Sequence, residues 1–165
     1  MLTATDLVFR VSGRALVNGI SAWFEPGQLH LILGPNGAGK STLIKLLARL
    51  LRPNEGSVQY DGKDVAHWRE PELAQRRAVL SQAVEVAFSM PVRELVLMGR
   101  YPHFGARPGA GDREICDEVM RFFDVAEMAD RSYGTLSGGE KQRVQFARVL
   151  AQIWQPLKEI GRAHV

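Results

Sequence analysis

The chain has 165 residues, of which 45% are hydrophobic and 24% charged, and 21 Lys and Arg against 18 Asp and Glu give a net charge of +3. This composition excludes a disordered chain, and the length suits one globular domain rather than two. The small basic excess gives no reason to expect nucleic acid as a partner, and the single cysteine, Cys116, excludes an intramolecular disulfide.

In chain order, strand-like patterns precede helical ones. Strands are predicted over residues 7–11, 16–23, 29–33, 57–60 and 78–81. Helices are predicted over residues 41–51, 71–77, 91–98, 112–123, 125–130 and 138–154. Leu29–Leu33 is an apolar run typical of a buried parallel strand, and Asp112 is a candidate cap for the helix after it. The order predicts an α/β core with a helical insertion.

No apolar run approaches the length of a membrane-spanning helix. The opening residues lack the basic and apolar regions of a signal peptide. We therefore expect a cytosolic protein that reaches a membrane only through its partners.

A glycine-rich loop after the apolar run at 29–33 fits the pattern G-x-x-x-x-G-K-[ST] and predicts nucleotide binding. Its candidate ATP-binding residues are Gly34, Pro35, Asn36, Gly37, Ala38, Gly39, Lys40, Ser41 and Thr42. Glycines let successive backbone N–H groups point at phosphate oxygens, and the helix that follows adds its partial positive charge. Lys40 would reach the β- and γ-phosphates, Ser41 would bind Mg²⁺, and Thr42 could reach the α-phosphate.

This loop alone does not choose among a kinase, a GTPase and a transporter ATPase. The Asn-Lys-x-Asp motif of a GTPase is absent, and the arginines that a kinase lid would cluster are scattered along the sequence.

A second motif, LSGGEKQR, begins about a hundred residues after the loop. Its first five residues are Leu136, Ser137, Gly138, Gly139 and Glu140. By itself this pattern predicts a helix start with Ser137 as the N-cap. Together with GPNGAGKST and Gln82 between them, it makes residues 2–155 resemble the ATP-binding-cassette ATPase family. The segments AFSMPVRELVLMGRYPH and ARVLAQIW are most similar to the haem-importer members of that family.

The resemblance implies an α/β P-loop NTPase (RecA-like) core with a helical subdomain, incomplete at the C-terminus. The core would comprise residues 1–82 and 141–158, and the helical signature subdomain residues 83–140. Ser137, Gly138 and Gly139 would cap the γ-phosphate of ATP bound to a second copy of the chain in a head-to-tail homodimer. Gln82 would contact Mg²⁺ and the attacking water, and would link the nucleotide to the helical subdomain.

The implied function is an ATP hydrolase subunit that couples the binding and hydrolysis of ATP to uptake of haem, with Mg²⁺ as the metal cofactor. Its partners would be the importer's transmembrane permeases and, indirectly, a periplasmic binding protein, at the cytoplasmic face of the inner membrane. A ferric siderophore or cobalamin importer is the alternative. A cassette acting on ribosomes or DNA is a second class of function, but the two cassettes or coiled-coil insertions that would mark it are not visible.

The sequence departs from the family at two places. The position of the usual adenine-stacking aromatic falls at Val11, next to Phe9 and Arg10. After Glu140 the only acid is Glu159, so the Asp-Glu pair of the second Walker motif and the switch histidine that follows it are missing. We therefore expect the 165-residue polypeptide to be aggregation-prone and to bind nucleotide without hydrolysing it.

The last seven residues, 159–165, fit no family pattern. EIGRAHV reads like the translation of a short-read sequencing adapter. We expect these residues to be a non-native tail and the native gene to continue after about Lys158. The alternative is a real tail that is frameshifted or divergent, and in either case we expect it to carry no function.

Overall fold

The computed structural model describes residues 1–80 and 89–154 of the chain. The chain divides into two compact units, Met1–Arg69 and Glu70–Val165. The predicted assignment of residues 1–82 and 141–158 to a core and of 83–140 to a helical subdomain stays a prediction. Within the described residues, no helix is long and apolar enough to cross a bilayer.

The first unit is built on an antiparallel sheet with the strand order β2-β1-β3-β4. Its strands are β1 (Leu2–Val11), β2 (Arg14–Phe24), β3 (Glu55–Tyr60) and β4 (Lys63–Asp64). Ser12 and Gly13 join β1 to β2 with φ values of 49° and 79°, the left-handed conformation of a tight hairpin turn. The strands predicted at 7–11, 16–23 and 57–60 are confirmed.

One helix, α1 (Lys40–Leu47), completes the first unit directly after the glycine-rich loop. Leu46 and Leu47 are its buried residues. The helix was predicted over 41–51, and it ends four residues earlier because Ala48 and Arg49 leave the helical conformation, Arg49 with a φ of 53°.

The second unit is helical in its described part. Its helices are α2 (Glu70–Ala74), α3 (Val92–Leu97), α4 (Ala110–Phe122) and α5 (Gly138–Ile153). Helices α3, α4 and α5 share one core, to which Val96, Val119 and Val144 contribute fully buried side chains. On α5, Ala147 and Ala151 are also buried, so this helix presents one apolar face to the core.

The strand predicted at Leu29–Leu33 is not formed. Leu29, Leu31 and Leu33 are 89%, 73% and 85% exposed, and none of the described strands pairs with the segment. A short apolar segment becomes a strand only when a neighbour completes its hydrogen bonds and covers its side chains. Residues 78–80 are likewise not a strand, and Ser81 lies outside the described residues.

Two helix starts differ in detail from the predictions. Pro91 is the N-cap of α3 rather than part of its first turn. Asp112 does cap α4, but from the third helical position, where its carboxylate accepts a hydrogen bond from the N–H of Gly109 at 2.9 Å. The predicted helix at 125–130 is a single 3₁₀ turn over Ala126–Met128.

Candidate nucleotide-binding site

The glycine-rich loop has the curled backbone that its composition predicts. Gly37 and Gly39 have φ values of 81° and 84°, a region that residues with a Cβ rarely adopt. Gly39 also lies directly against β2, where an added Cβ would be 2.1 Å from the carbonyl oxygen of Leu16. Glycine is therefore required at position 39 by both backbone conformation and close approach.

Lys40 places its positive charge at this loop. Its ammonium donates hydrogen bonds to the carbonyl oxygens of Gly34 and Pro35, both at 2.7 Å. Helix α1 starts at Lys40 with Gly39 as its N-cap, without a side-chain cap and without an acid in its first turn. The N–H groups of that turn and the ammonium together favour an anion at the loop.

Ser41 and Thr42 lie in the first turn of α1, Ser41 exposed and Thr42 half-buried. A hydroxyl oxygen is among the ligand types that Mg²⁺ accepts beside a phosphate. The loop and the start of α1 thus bring residues 34–42 together in one local structure, as their spacing predicts.

The LSGGE motif starts α5 in the predicted way, with Ser137 as N-cap. The Ser137 N–H donates to Glu140 Oε2 at 2.7 Å, and the Glu140 N–H donates to Ser137 Oγ at 3.4 Å. This reciprocal pair is a capping box. Leu136, immediately before it, is buried in the core of the second unit.

Glu140 is held in its charged form by this cap. The N–H and the hydroxyl of Ser137, together with the Arg131 guanidinium 3.4 Å away, lower the pKa of the Glu140 carboxyl below its ordinary value of 4.5. The capping box is therefore intact at neutral pH.

Gly138 and Gly139 form the exposed first turn of α5. A Cβ built at either position meets no atom of the described residues within 4 Å. Neither glycine is thus needed for packing within this part of the chain, and the turn presents bare backbone to its surroundings.

Sequence reasoning missed three residues that hold α5. Tyr133 and Gln145 form a buried hydrogen bond, from Gln145 Nε2 to the Tyr133 hydroxyl, at 2.9 Å. Arg100 is buried and bonds the carbonyl oxygens of Ala151 and Trp154 near the end of α5. The sequence shows only that Gln145 is a polar residue beside the apolar stripe of a predicted helix. That position does not reveal which residue it bonds.

The other predicted site residues are Gln82 and the three candidates for adenine stacking at the end of β1. Gln82 lies outside the described residues, so its predicted role stays a prediction. Val11 is 48% exposed at the end of β1, Phe9 is half-buried, and Arg10 pairs with Glu55 Oε1 at 2.6 Å. These three residues offer one aromatic ring near the β1–β2 turn, and that ring is partly covered.

The chain matches a known family over most of its length. A family model described as ABC transporter matches residues 17–155. The hemin import ATP-binding protein HmuV of Gloeobacter violaceus is 51% identical over 94% of this chain and 56% of its own length. The protein of the same name from Escherichia coli O157:H7 is 44% identical over 94% of this chain and 59% of its own. The chain thus spans somewhat more than half the length of the curated relatives it matches.

Solved structures give the same picture of the fold. A nucleotide-free ATP-binding cassette from an ABC transporter is 26% identical, with a TM-score of 0.80 over 92% of this chain and 64% of its own. An inward-facing metal-chelate type ABC transporter is also 26% identical, with a TM-score of 0.77 over 92% of this chain and 55% of its own. The α/β P-loop NTPase fold predicted from the motifs is confirmed.

Proposed function

This chain belongs to the ABC transporter family, a family of ATP hydrolases, and from that premise we propose that it is the ATP-binding subunit of a haem importer. The proposal that the cargo is haem rests on the name shared by its relatives, hemin import ATP-binding protein. A metal-chelate type transporter is among its structural neighbours. Because ferric siderophores and cobalamin are metal chelates as haem is, the import of one of them is the second candidate.

ATP would bind at the loop of residues 34–42. The N–H groups at the start of α1 and the Lys40 ammonium offer positive charge to the β- and γ-phosphates. The Ser41 hydroxyl would hold Mg²⁺, which neutralises phosphate charge when bound, and Gln82 would be its second protein ligand. Thr42 would reach the α-phosphate.

The turn at Ser137–Gly139 would cap the γ-phosphate of ATP held by a second copy of the chain. Two properties of the turn support this role: it is the N-terminus of a 16-residue helix, and its two glycines leave the backbone uncovered. Helix N-termini with uncovered N–H groups bind anions. A head-to-tail homodimer with two ATP molecules between the copies follows from this role.

The remaining partners are proposed from the same family. The importer's transmembrane permeases would hold the subunit at the cytoplasmic face of the inner membrane. A periplasmic binding protein would deliver the cargo to the permeases on the other side, without contacting this chain.

We expect the 165-residue polypeptide to bind ATP without turning it over. In the family, hydrolysis uses an Asp-Glu pair at the end of an apolar strand after the signature, and after Glu140 this sequence holds a single acid, Glu159. Magnesium-dependent phosphate release above background by the purified polypeptide, abolished in Lys40→Ala, would contradict this expectation.

Nucleotide binding is tested with the fluorescent analogue MANT-ATP and the full chain. We expect Lys40→Ala to raise the dissociation constant on the order of 10- to 100-fold, because charge-assisted hydrogen bonds to phosphate are lost. Lys45→Ala, which removes an exposed lysine from the same helix, is the matched control and leaves the constant unchanged. Equal affinity of both variants would refute the loop assignment.

The cargo is tested with permeases in nanodiscs. The labelled chain should bind the permease of a haem importer with lower dissociation constant than the permease of a siderophore or cobalamin importer. Tighter binding to the siderophore or cobalamin permease would favour the alternative cargo. Binding to none of the permeases would refute the proposal that the chain is an importer subunit.

A further inference from the structure

Tyr133 is attached to its surroundings through its backbone. It lies four residues before Ser137, in the 3₁₀ turn Tyr133–Thr135, and is 6% exposed. Its N–H donates to the carbonyl oxygen of Met90 at 2.8 Å, and its own carbonyl oxygen accepts from the N–H of Leu136 at 3.3 Å. The backbone of Tyr133 therefore ties the segment leading into α3 to the segment leading into α5.

The side chain of Tyr133 is attached to α5 itself. Its hydroxyl accepts a hydrogen bond from Gln145 Nε2 at 2.9 Å, and Gln145 Oε1 accepts one from Arg148 Nε at 2.8 Å. The Lys141 ammonium lies 5.7 Å from the centre of the Tyr133 ring, within the range of a cation–π contact. Lys141 and Gln145 on α5 thus both contact this one side chain, and Arg148 is linked to it through Gln145.

The first turn of α5 needs such support from outside the helix. Gly138 and Gly139 occupy its first two positions, and glycine loses more backbone freedom on ordering than any other residue. The capping box between Ser137 and Glu140 orders the turn relative to the helix but not relative to the preceding chain. Tyr133 supplies that second constraint.

We propose that Tyr133, acting through Gln145, is a positioning residue that orients the Ser137–Gly139 turn for phosphate capping. The inference rests on the proposed function, because the capped phosphate belongs to ATP on a second copy. An N–H group stabilises an anion only when it points at it, so a small rotation of the α5 N-terminus weakens capping. The loop at residues 34–42 belongs to the other unit, so ATP binding there is measured separately from the position of this turn.

Amide hydrogen exchange on the full chain without nucleotide tests the positioning directly. Tyr133→Phe removes only the hydroxyl. We expect exchange to accelerate on the order of tenfold at the N–H groups of Ser137, Glu140 and Lys141, which are hydrogen-bonded within this turn. Tyr101→Phe, the same change at a residue that is 59% exposed, is the matched control and leaves exchange unchanged. Unchanged exchange in Tyr133→Phe would overturn the proposal, as would equal acceleration across all of α5, which indicates general destabilisation.

A second measurement follows ATP-dependent self-association by sedimentation velocity. Tyr133→Phe should raise the dissociation constant for self-association on the order of tenfold, with MANT-ATP affinity of the single chain retained. Gln145→Leu removes this hydrogen bond and the one from Arg148, so its loss should be at least as large. The double variant should lose no more than Gln145→Leu alone. Additive losses would overturn the coupling between the two residues. If the wild-type chain fails to bind MANT-ATP, the proposed function fails, while the exchange result still decides the positioning role.

Discussion

Replacement of Arg100 tests how the second unit holds the end of α5. Arg100 is 5% exposed. Its guanidinium donates to the carbonyl oxygens of Ala151 and Trp154 at 2.8 and 2.9 Å, and to Asp112 Oδ1 at 3.1 Å. The last carbonyl groups of a helix have no partner within it. One side chain therefore connects the C-terminal end of α5 to the N-terminal turn of α4.

We expect Arg100→Leu to lower the free energy of unfolding of this unit by about 3 to 5 kcal/mol. The substitution leaves the Asp112 carboxylate, itself largely buried, without its cation, and breaking a buried ion pair by removing one partner has a cost of that size. Arg100→Lys keeps the charge but loses the planar fork of donors, and should lose about 1 to 3 kcal/mol.

Urea denaturation followed by far-ultraviolet circular dichroism measures these changes, with hydrogen exchange of the α5 amides as the local readout. Arg113→Leu, which removes an exposed arginine next to Asp112 on α4, is the matched control and should change stability by less than about 0.5 kcal/mol. Asp112→Asn completes a double-variant cycle with Arg100→Leu. A loss for Arg100→Leu no greater than that for Arg113→Leu would refute the reasoning.

Three further predictions concern the loop, the cap and the thiol. Gly39→Ala should weaken MANT-ATP binding more than Gly37→Ala, since both glycines have positive φ but only the Cβ at position 39 meets a carbonyl, that of Leu16; the reverse order would contradict this. Because the pKa of Glu140 is lowered, its stabilisation of α5 is present above pH 4.5 and is lost as the pH falls through the lowered value. Acid unfolding followed by circular dichroism should therefore differ between the wild type and Glu140→Gln, which does not titrate. Parallel unfolding curves for the two proteins would contradict this. Burial raises the pKa of the Cys116 thiol from 9.0 to about 12, so the free energy of unfolding should fall as the pH rises from 9 toward 12. Labelling of this thiol by dithiobis-nitrobenzoate at pH 8 should require unfolding, and rapid labelling of the folded chain would disprove the burial.

Several local structures could be predicted from the sequence because nearby residues alone determine them. Gly39 and Lys40 start α1 as the loop pattern predicts. Ser137 and Glu140 form their cap within four residues of each other. Ser12-Gly13, which separates the strands predicted at 7–11 and 16–23, makes the hairpin turn. In each case the hydrogen bonds and the backbone conformation involve residues close together in the chain.

The predictions that failed, or were never made, depended on distant residues. Leu29–Leu33 has the composition of a buried strand, yet burial requires a neighbour that the described residues do not provide. The Arg100 guanidinium meets carbonyl groups more than fifty positions away, and no periodicity predicts such a pairing.

By itself, the sequence determined the family and the local structure of the glycine-rich loop and of the Ser137–Gly139 turn, since these follow from residue types at short spacing. Only the tertiary structure decided how the helix behind the second turn is held. The hydroxyl of Tyr133 and the amide of Gln145 are separated by twelve positions and belong to different elements. A buried polar group must find a partner wherever the fold places one, and that placement follows from packing rather than from local pattern.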